Sequence, residues 1–255
     1  MLLRSLTKHV RDQNWFAVAL DFFIVVAGIL IAFQIANWSA YRAERAQEID
    51  YLSAMERDVE YSIGVLEDSI WNLESQQSAR QALYEFLADP SADLDPDKLD
   101  SLIARGVFAL ERADINQITF ETLKSSGQMS VIKSSELLKA LQDLSAELDA
   151  AEVDKNEDFQ FAFRMSDPLL ITEGDFDNIL INDLGSMHDK LPWITKQPGA
   201  GYDREFVRSR SFKNILLFRT LFGQLRLEGL TTILERHQNI LILIDERQAQ
   251  LGIEP

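Results

Sequence analysis

From Phe16 to Phe33 the chain reads FAVALDFFIVVAGILIAF, broken only by the charge of Asp21. Crossing a hydrocarbon core of roughly 30 Å takes about 20 helical residues. The stretch between Trp15 and Trp38 is long enough, and the two tryptophans stand where interfacial aromatics belong. A buried helix of a water-soluble protein normally keeps one polar face, and FFIVVAGILIAF has none. Residues 15–38 are therefore predicted to be a transmembrane helix. A cleaved signal peptide fits poorly, because QIANWSAYRA offers no small-x-small site and Ala40 would place Trp38 at the third position back. The segment reads as a retained signal anchor.

The flanks refine this expectation. In residues 1–14, Leu2, Leu3, Leu6 and Val10 share one helical stripe while Arg4, Lys8 and Arg11 take the other side, the pattern of an amphipathic segment lying in the headgroup plane. Arg4, Lys8, Arg11, Trp15 and Trp38 are the predicted interfacial anchors. Arg42, Arg45 and Arg57 follow the span and balance the cations before it, so only the α-amine tips the count toward a cytoplasmic N-terminus. Within the span, Ala17, Asp21, Gly28 and Ala32 fall within about 60° of one another, with Ala36 just off the line. Small residues four apart let two helix backbones approach, and a carboxyl facing lipid is costly. This face is expected to pack on another membrane helix, from a second copy or a membrane protein partner. The alternative is that Asp21, only about 9 Å below Trp15 along a helix, reaches headgroup water.

Residues 39–255 form the predicted extramembrane domain. With 25 Lys and Arg against 41 Asp and Glu the formal charge is −16, which excludes non-specific attraction to nucleic acid. The acids are interleaved with Leu, Ile and Phe at helical spacing, which opposes disorder. Leu52, Met55, Val59, Ile63, Leu66, Ile70 and Leu73 advance by threes and fours and mark one buried stripe on a long helix running without a linker from the span to Asp89. Pro90 ends it. Asp95-Pro96 opens a second helical stretch that continues through LDSLIARGVFALE and NQITFETLK to the Ser125-Ser126-Gly127 break. A third helix starts at Ser134 or Ser135 and runs toward Met165; a last one runs from about Asp203 to Gln250, with Gly252 as its stop. The fold class expected is all-α, about four helices in an antiparallel, coiled-coil-like bundle, with an irregular insertion at about 166–203.

Catalytic chemistry finds no footing. There is no cysteine, and none of the three histidines, His9, His188 and His237, stands in a metal-ligand array. His237 reads as a surface or helix-end histidine. Asp93, Asp95 and Asp97 imitate the start of a calcium loop, but Lys98 replaces its glycine and Ala104 its bidentate glutamate. PGAGY at 198–202 is a turn and not a phosphate cradle. No enzyme activity and no cofactor or metal are expected. Two features remain as a candidate partner surface: the aromatics Phe176, Trp193 and Tyr202 in or beside the insertion, and the basic run Arg204, Arg208 and Arg210, continued by Lys213 and Arg219. The same aromatics could cap the end of the bundle, and the same cations could neutralise acidic faces of neighbouring helices.

FIVVAGILIAFQIANW and TFETLKSSGQMSVI, through Asp21, Gly28, Gln34, Asn37 and Trp38 and then Thr119, Leu123, Ser125, Ser126, Gly127 and Ile132, resemble a family of uncharacterised bacterial single-pass inner-membrane proteins. The likeness covers the first 60 residues and about 115–150. It implies a bacterial inner membrane with the helical domain in the periplasm, and no established activity comes with it. The expected function is a membrane-anchored interaction or scaffold protein, such as an accessory subunit of a membrane complex. A periplasmic sensory or ligand-binding module, or an enzyme with an unrecognised site, are the alternatives; the former is weakened by the few residues ahead of the span.

Overall fold

The computed structural model describes residues 15–173, 193 and 202–252. The anchors Arg4, Lys8 and Arg11 and most of the predicted insertion, Phe176 included, lie outside the described residues. Among the described residues every regular element is helical: α1 Trp15–Ala88, α2 Pro96–Ile103, α3 Ile118–Ser125, α4 Ser135–Phe161, α5 Asp167–Glu173, α6 Arg204–Val207 and α7 Arg210–Gln250. The chain divides into two compact units, Met1–Tyr51 and Leu52–Pro255, with α1 contributing to both.

In the first unit, α1 is long and apolar enough to cross a membrane and its apolar stretch is not buried. No proline interrupts it.

In the second unit, α1 buries Leu52, Met55, Val59, Ser62, Leu66, Ser69, Leu73, Gln76, Arg80 and Leu83. These positions alternate steps of three and four, the period of a coiled-coil seam. The sequence reading placed Ile63 and Ile70 on this stripe; Ser62 and Ser69 occupy it instead, and the two isoleucines are half-buried beside it. Helix α7 answers with the same period through Phe212, Leu216, Arg219, Gly223, Arg226, Leu230, Ile233, His237, Ile240 and Ile244. The two helices run antiparallel: Gln77 Nε2 donates to the Thr220 carbonyl at 3.2 Å, and Gln248 Nε2 to Glu56 Oε2 at 2.7 Å. Helix α4 also opposes α7, since Asp158 meets Arg219 and Arg226 while Glu147 meets Arg236. Each fully buried leucine or isoleucine in these seams contributes about 1.5–3 kcal/mol over an exposed one. One end is closed by Phe86, Leu99, Ile103, Val107, Leu170, Tyr202, Val207 and Phe212.

The helix ends follow from their residues. Asp95 accepts from the Asp97 and Lys98 amides ahead of Pro96, Ser134 caps α4, and Ser209 caps α7. Gly127, after α3, and Gly252, after α7, take positive φ (71° and 74°), where glycine carries no Cβ penalty.

Three boundaries differ from the sequence reading. The second stretch is not one helix: α2 ends in a π-helical turn, Ala104–Phe108, and residues 109–117 are irregular before α3 begins. Gly106 lets this turn close tightly on α1, because a Cβ there would lie 3.2 Å from the Arg80 backbone nitrogen and the backbone would have to give by a few tenths of an ångström. The predicted insertion starts later than residue 166, since a second π-helical turn, Ala162–Ser166, leads into α5, whose first turn accommodates Pro168. The last long helix is preceded by the separate turn of α6, with Arg208 and Ser209 between them.

Candidate functional site

The predicted membrane face lies on α1. Asp21, Gly28, Ala32 and Ala36 are exposed there, and a Cβ on Gly28 would meet nothing within 4 Å. Ala17 and Trp15 belong to the helix, but their side chains lie outside the described set. Trp38 is exposed, with the Arg42 guanidinium 4.7 Å from its ring centroid, a cation stacked on an indole next to the apolar run.

The polar centre of the second unit was not legible beforehand. Residues 104–117 cross between the helices largely without regular structure, so their carbonyls need donors from elsewhere. Three buried arginines supply them. Arg80 on α1 donates through Nε to the Gly106 carbonyl at 2.6 Å, and its two terminal nitrogens reach Gln77 Oε1 at 2.8 Å and Gln76 Oε1 at 3.0 Å. Arg219 on α7 donates through Nε to the Val107 carbonyl at 3.1 Å and through Nη2 to the Ala109 carbonyl at 2.7 Å. Its Nη1 donates to Asp158 Oδ1 on α4. One helical repeat on, Arg226 donates to Asp158 Oδ2 at 3.1 Å and to the Glu111 carbonyl at 2.7 Å. Phe159, next to Asp158, lies with its ring centroid 5.5 Å from the guanidiniums of both Arg226 and Arg112.

Burial sets the electrostatics. Desolvation, with Arg219 beside it, pulls Arg80 down to about 9 despite the opposing attraction of Asp158. Desolvation lowers Arg219 as well, opposed first by Asp158. The Glu111 carboxyl, half-buried, is raised by desolvation, although Ser69, Arg226 and Asn72 counter it. This arrangement positions backbone; it presents no paired acid and base to a substrate, and among the described residues no group of histidines and acids could hold a metal ion.

The predicted partner surface divides. Tyr202 is 5% exposed and packs in the apolar end cluster, so it is core and not surface; its ring lies 6.1 Å from Phe206, and burial raises its phenol. Its amide donates to Asp100 Oδ1 of α2 at 3.1 Å, a bond across 102 positions that ties it to the core. Arg204 pairs with Asp93 and donates to the Leu94 carbonyl. Arg208 donates to the Asp89 and Ala92 carbonyls at 3.2 and 3.0 Å with its guanidinium 4.3 Å from the Phe86 ring. These two arginines fasten the α1–α2 turn. Arg210 and Trp193 are exposed, and Phe176 lies outside the described residues. His237, expected at a surface or helix end, is 1% exposed in the middle of α7.

Sequence reasoning missed Arg80, Asp158 and Arg226. The signal was present for the arginines: both occupy seam positions in the alternation of threes and fours, where a charge must be paired or bonded. Asp158 had no such mark among the many acids of α4. Comparison with protein-family models, with curated proteins and with solved structures finds no match to this chain.

Proposed function

We propose that the chain is a membrane-anchored helical interaction or scaffold protein of the bacterial inner membrane, an accessory subunit of a larger assembly with its N-terminus cytoplasmic and its helical domain periplasmic. The observation that carries the reading is the exposure of the apolar run: Phe22 and Phe23 are each 70% exposed, and Ile24, Ile29, Ile31 and Phe33 stand out in the same way. So much apolar surface on one helix requires lipid or protein around it. A second feature supports a partner for the other unit. Phe161, Phe218 and Phe222 cluster with centroids 5.1–6.3 Å apart, and Phe218, Leu217, Leu221 and Leu225 remain exposed along α7.

The buried arginine core supports a rigid platform, because its guanidiniums are committed to backbone carbonyls. Expressed at native level, the full chain should sediment with membranes, resist alkaline carbonate, and co-purify with a defined partner after gentle detergent extraction. Release by carbonate would refute the anchor. A protein that stays membrane-bound yet migrates alone as a monomer would refute the scaffold role.

A further inference from the structure

His237 is a buried histidine that the arginine network does not involve. Its Nδ1 lies 2.8 Å from the Ile233 carbonyl one turn back on α7, so that nitrogen carries the proton and donates, and Nε2 is left with a bare lone pair. Nε2 is buried and has no hydrogen-bond partner among the described residues. The ring lines a small cavity of about 20 Å³ shared with Met55, Asp58, Val59, Asn116, Gln117, Phe120, Leu141 and Leu144. That volume accommodates about one water molecule.

The walls differ in strength. Three belong to the long helices α1, α4 and α7, and the fourth is the end of the irregular chain and the start of α3. That fourth wall hangs on two side chains of α1. Asp58 accepts from Asn116 Nδ2 at 3.0 Å and from the Thr119 amide at 2.8 Å, capping the N-terminus of α3 from outside. Ser62 Oγ accepts from the Asn116 amide at 3.0 Å and lies 3.1 Å from its carbonyl.

We propose that this cavity is an acid-operated latch: protonation of His237 detaches residues 116–125 from the long helices while the helices themselves stay paired. An imidazolium would aim a new N–H into the cavity. Of the groups facing it there, α1 supplies one charged side chain, Asp58; residues 116–120 supply Asn116, Gln117 and Phe120, none titratable; and α4 supplies only Leu141 and Leu144. On α7 itself the adjacent Arg236 pairs outward with Glu147. Both oxygens of Asp58 are already bonded, so the cation must either draw Asp58 from Asn116 and Thr119 or admit water. Either event loosens the wall that is fastened to α1 through Asp58 and Ser62. Burial holds the imidazole below its ordinary range, opposed by the bond to Ile233, so the neutral, latched form prevails near neutrality.

The test is amide hydrogen exchange on the full chain in detergent micelles, expressed as protection factors so that the intrinsic pH dependence of exchange is removed. Between about pH 7.5 and about pH 5, straddling the imidazole range, protection at Asn116, Thr119 and Phe120 should fall about tenfold while Ile240 and Ile244 hold. In His237→Gln the fall should vanish. In the unmodified protein the NMR titration midpoint of the His237 ring should coincide with the midpoint of the loss. Unchanged protection, an equal fall in the variant, or separate midpoints would each overturn the latch.

Discussion

Removing the Asp158 carboxylate is the sharpest perturbation of the polar core. In Asp158→Ala both Arg219 and Arg226 lose the carboxylate that hydrogen-bonds them, while Arg219 keeps the Val107 and Ala109 carbonyls and Arg226 keeps that of Glu111. Both arginines are buried, at 0% and 6% exposure, so water cannot take over without opening the fold. Breaking a buried ion pair from one side costs about 3–5 kcal/mol, and here two cations are stranded. For a domain of this size each kcal/mol moves Tm by about 2–4 °C, giving a fall of roughly 6–20 °C. The assay is thermal unfolding of the full chain in micelles, followed by circular dichroism at the helix band, with Arg204→Ala as the control. Arg204 and Asp93 form an exposed pair, where the loss is about 0–1 kcal/mol. In a double-mutant cycle with Arg219→Met the two losses should be clearly less than additive, because the second substitution bares the Val107 and Ala109 carbonyls but also removes one stranded charge. A fall no greater than that of the control would refute a desolvated carboxylate at this position.

Gly223→Ala should destabilise by about 1–3 kcal/mol, because its Cβ would stand 1.9 Å from Arg80 Nη1; chemical denaturation with an unchanged m-value would register it, and a neutral result would mean Arg80 is not held where described. Asp95→Ala should cost about 1 kcal/mol by uncapping α2, with Asp95→Ser restoring most of it in the same melt. Stability against pH follows from His237: its imidazole is depressed in the fold, so the unfolded chain takes the proton first. The contribution is therefore complete above an ordinary imidazole value of about 6.5 and declines as pH falls below it; a melt series should show that slope, reduced in His237→Gln.

What could be read from the sequence is what repeats. The apolar run, the alternation of threes and fours in α1, Asp95-Pro96, Ser134 and Gly252 each carry their cause within a few residues. Ile63 and Ile70 were assigned to the buried stripe because hydrophobicity marks most stripes, yet Ser62 and Ser69 occupy it where the irregular segment crosses α1, bonding Asn116 and the Glu111 carboxyl. Serine volume, together with Ser62 holding Asn116, decided the register, and that bond joins residues 54 positions apart. The irregular path of 109–117 was hidden for a similar reason, since LDSLIARGVFALE has helical spacing and leaves the helix only because Arg80, Arg219 and Arg226 satisfy its carbonyls from afar. His237 was misjudged because a histidine among charges resembles surface until its partners are known, whereas Tyr202 follows the alternative in which the aromatics cap the end of the bundle.

The choice of arginine in this core follows from geometry. A strap of chain without its own ladder exposes carbonyls at uneven spacing, and each buried one needs a donor. A guanidinium offers five N–H groups in a rigid plane, whereas an ammonium offers three on a flexible stem. Gly106, Val107, Ala109 and Glu111 are served by only three side chains, and Arg219 spans two of those carbonyls and a carboxylate at once. Apolar replacements would fill the same volume but leave the four carbonyls bare, a cost of about 1–3 kcal/mol for each. Because Arg80 comes from α1, Arg219 and Arg226 from α7, and Asp158 from α4, the strap can keep its path only while all three long helices keep their register. The polar centre thus makes the placement of each long helix depend on the other two, which apolar seams of uniform period would leave free to slip.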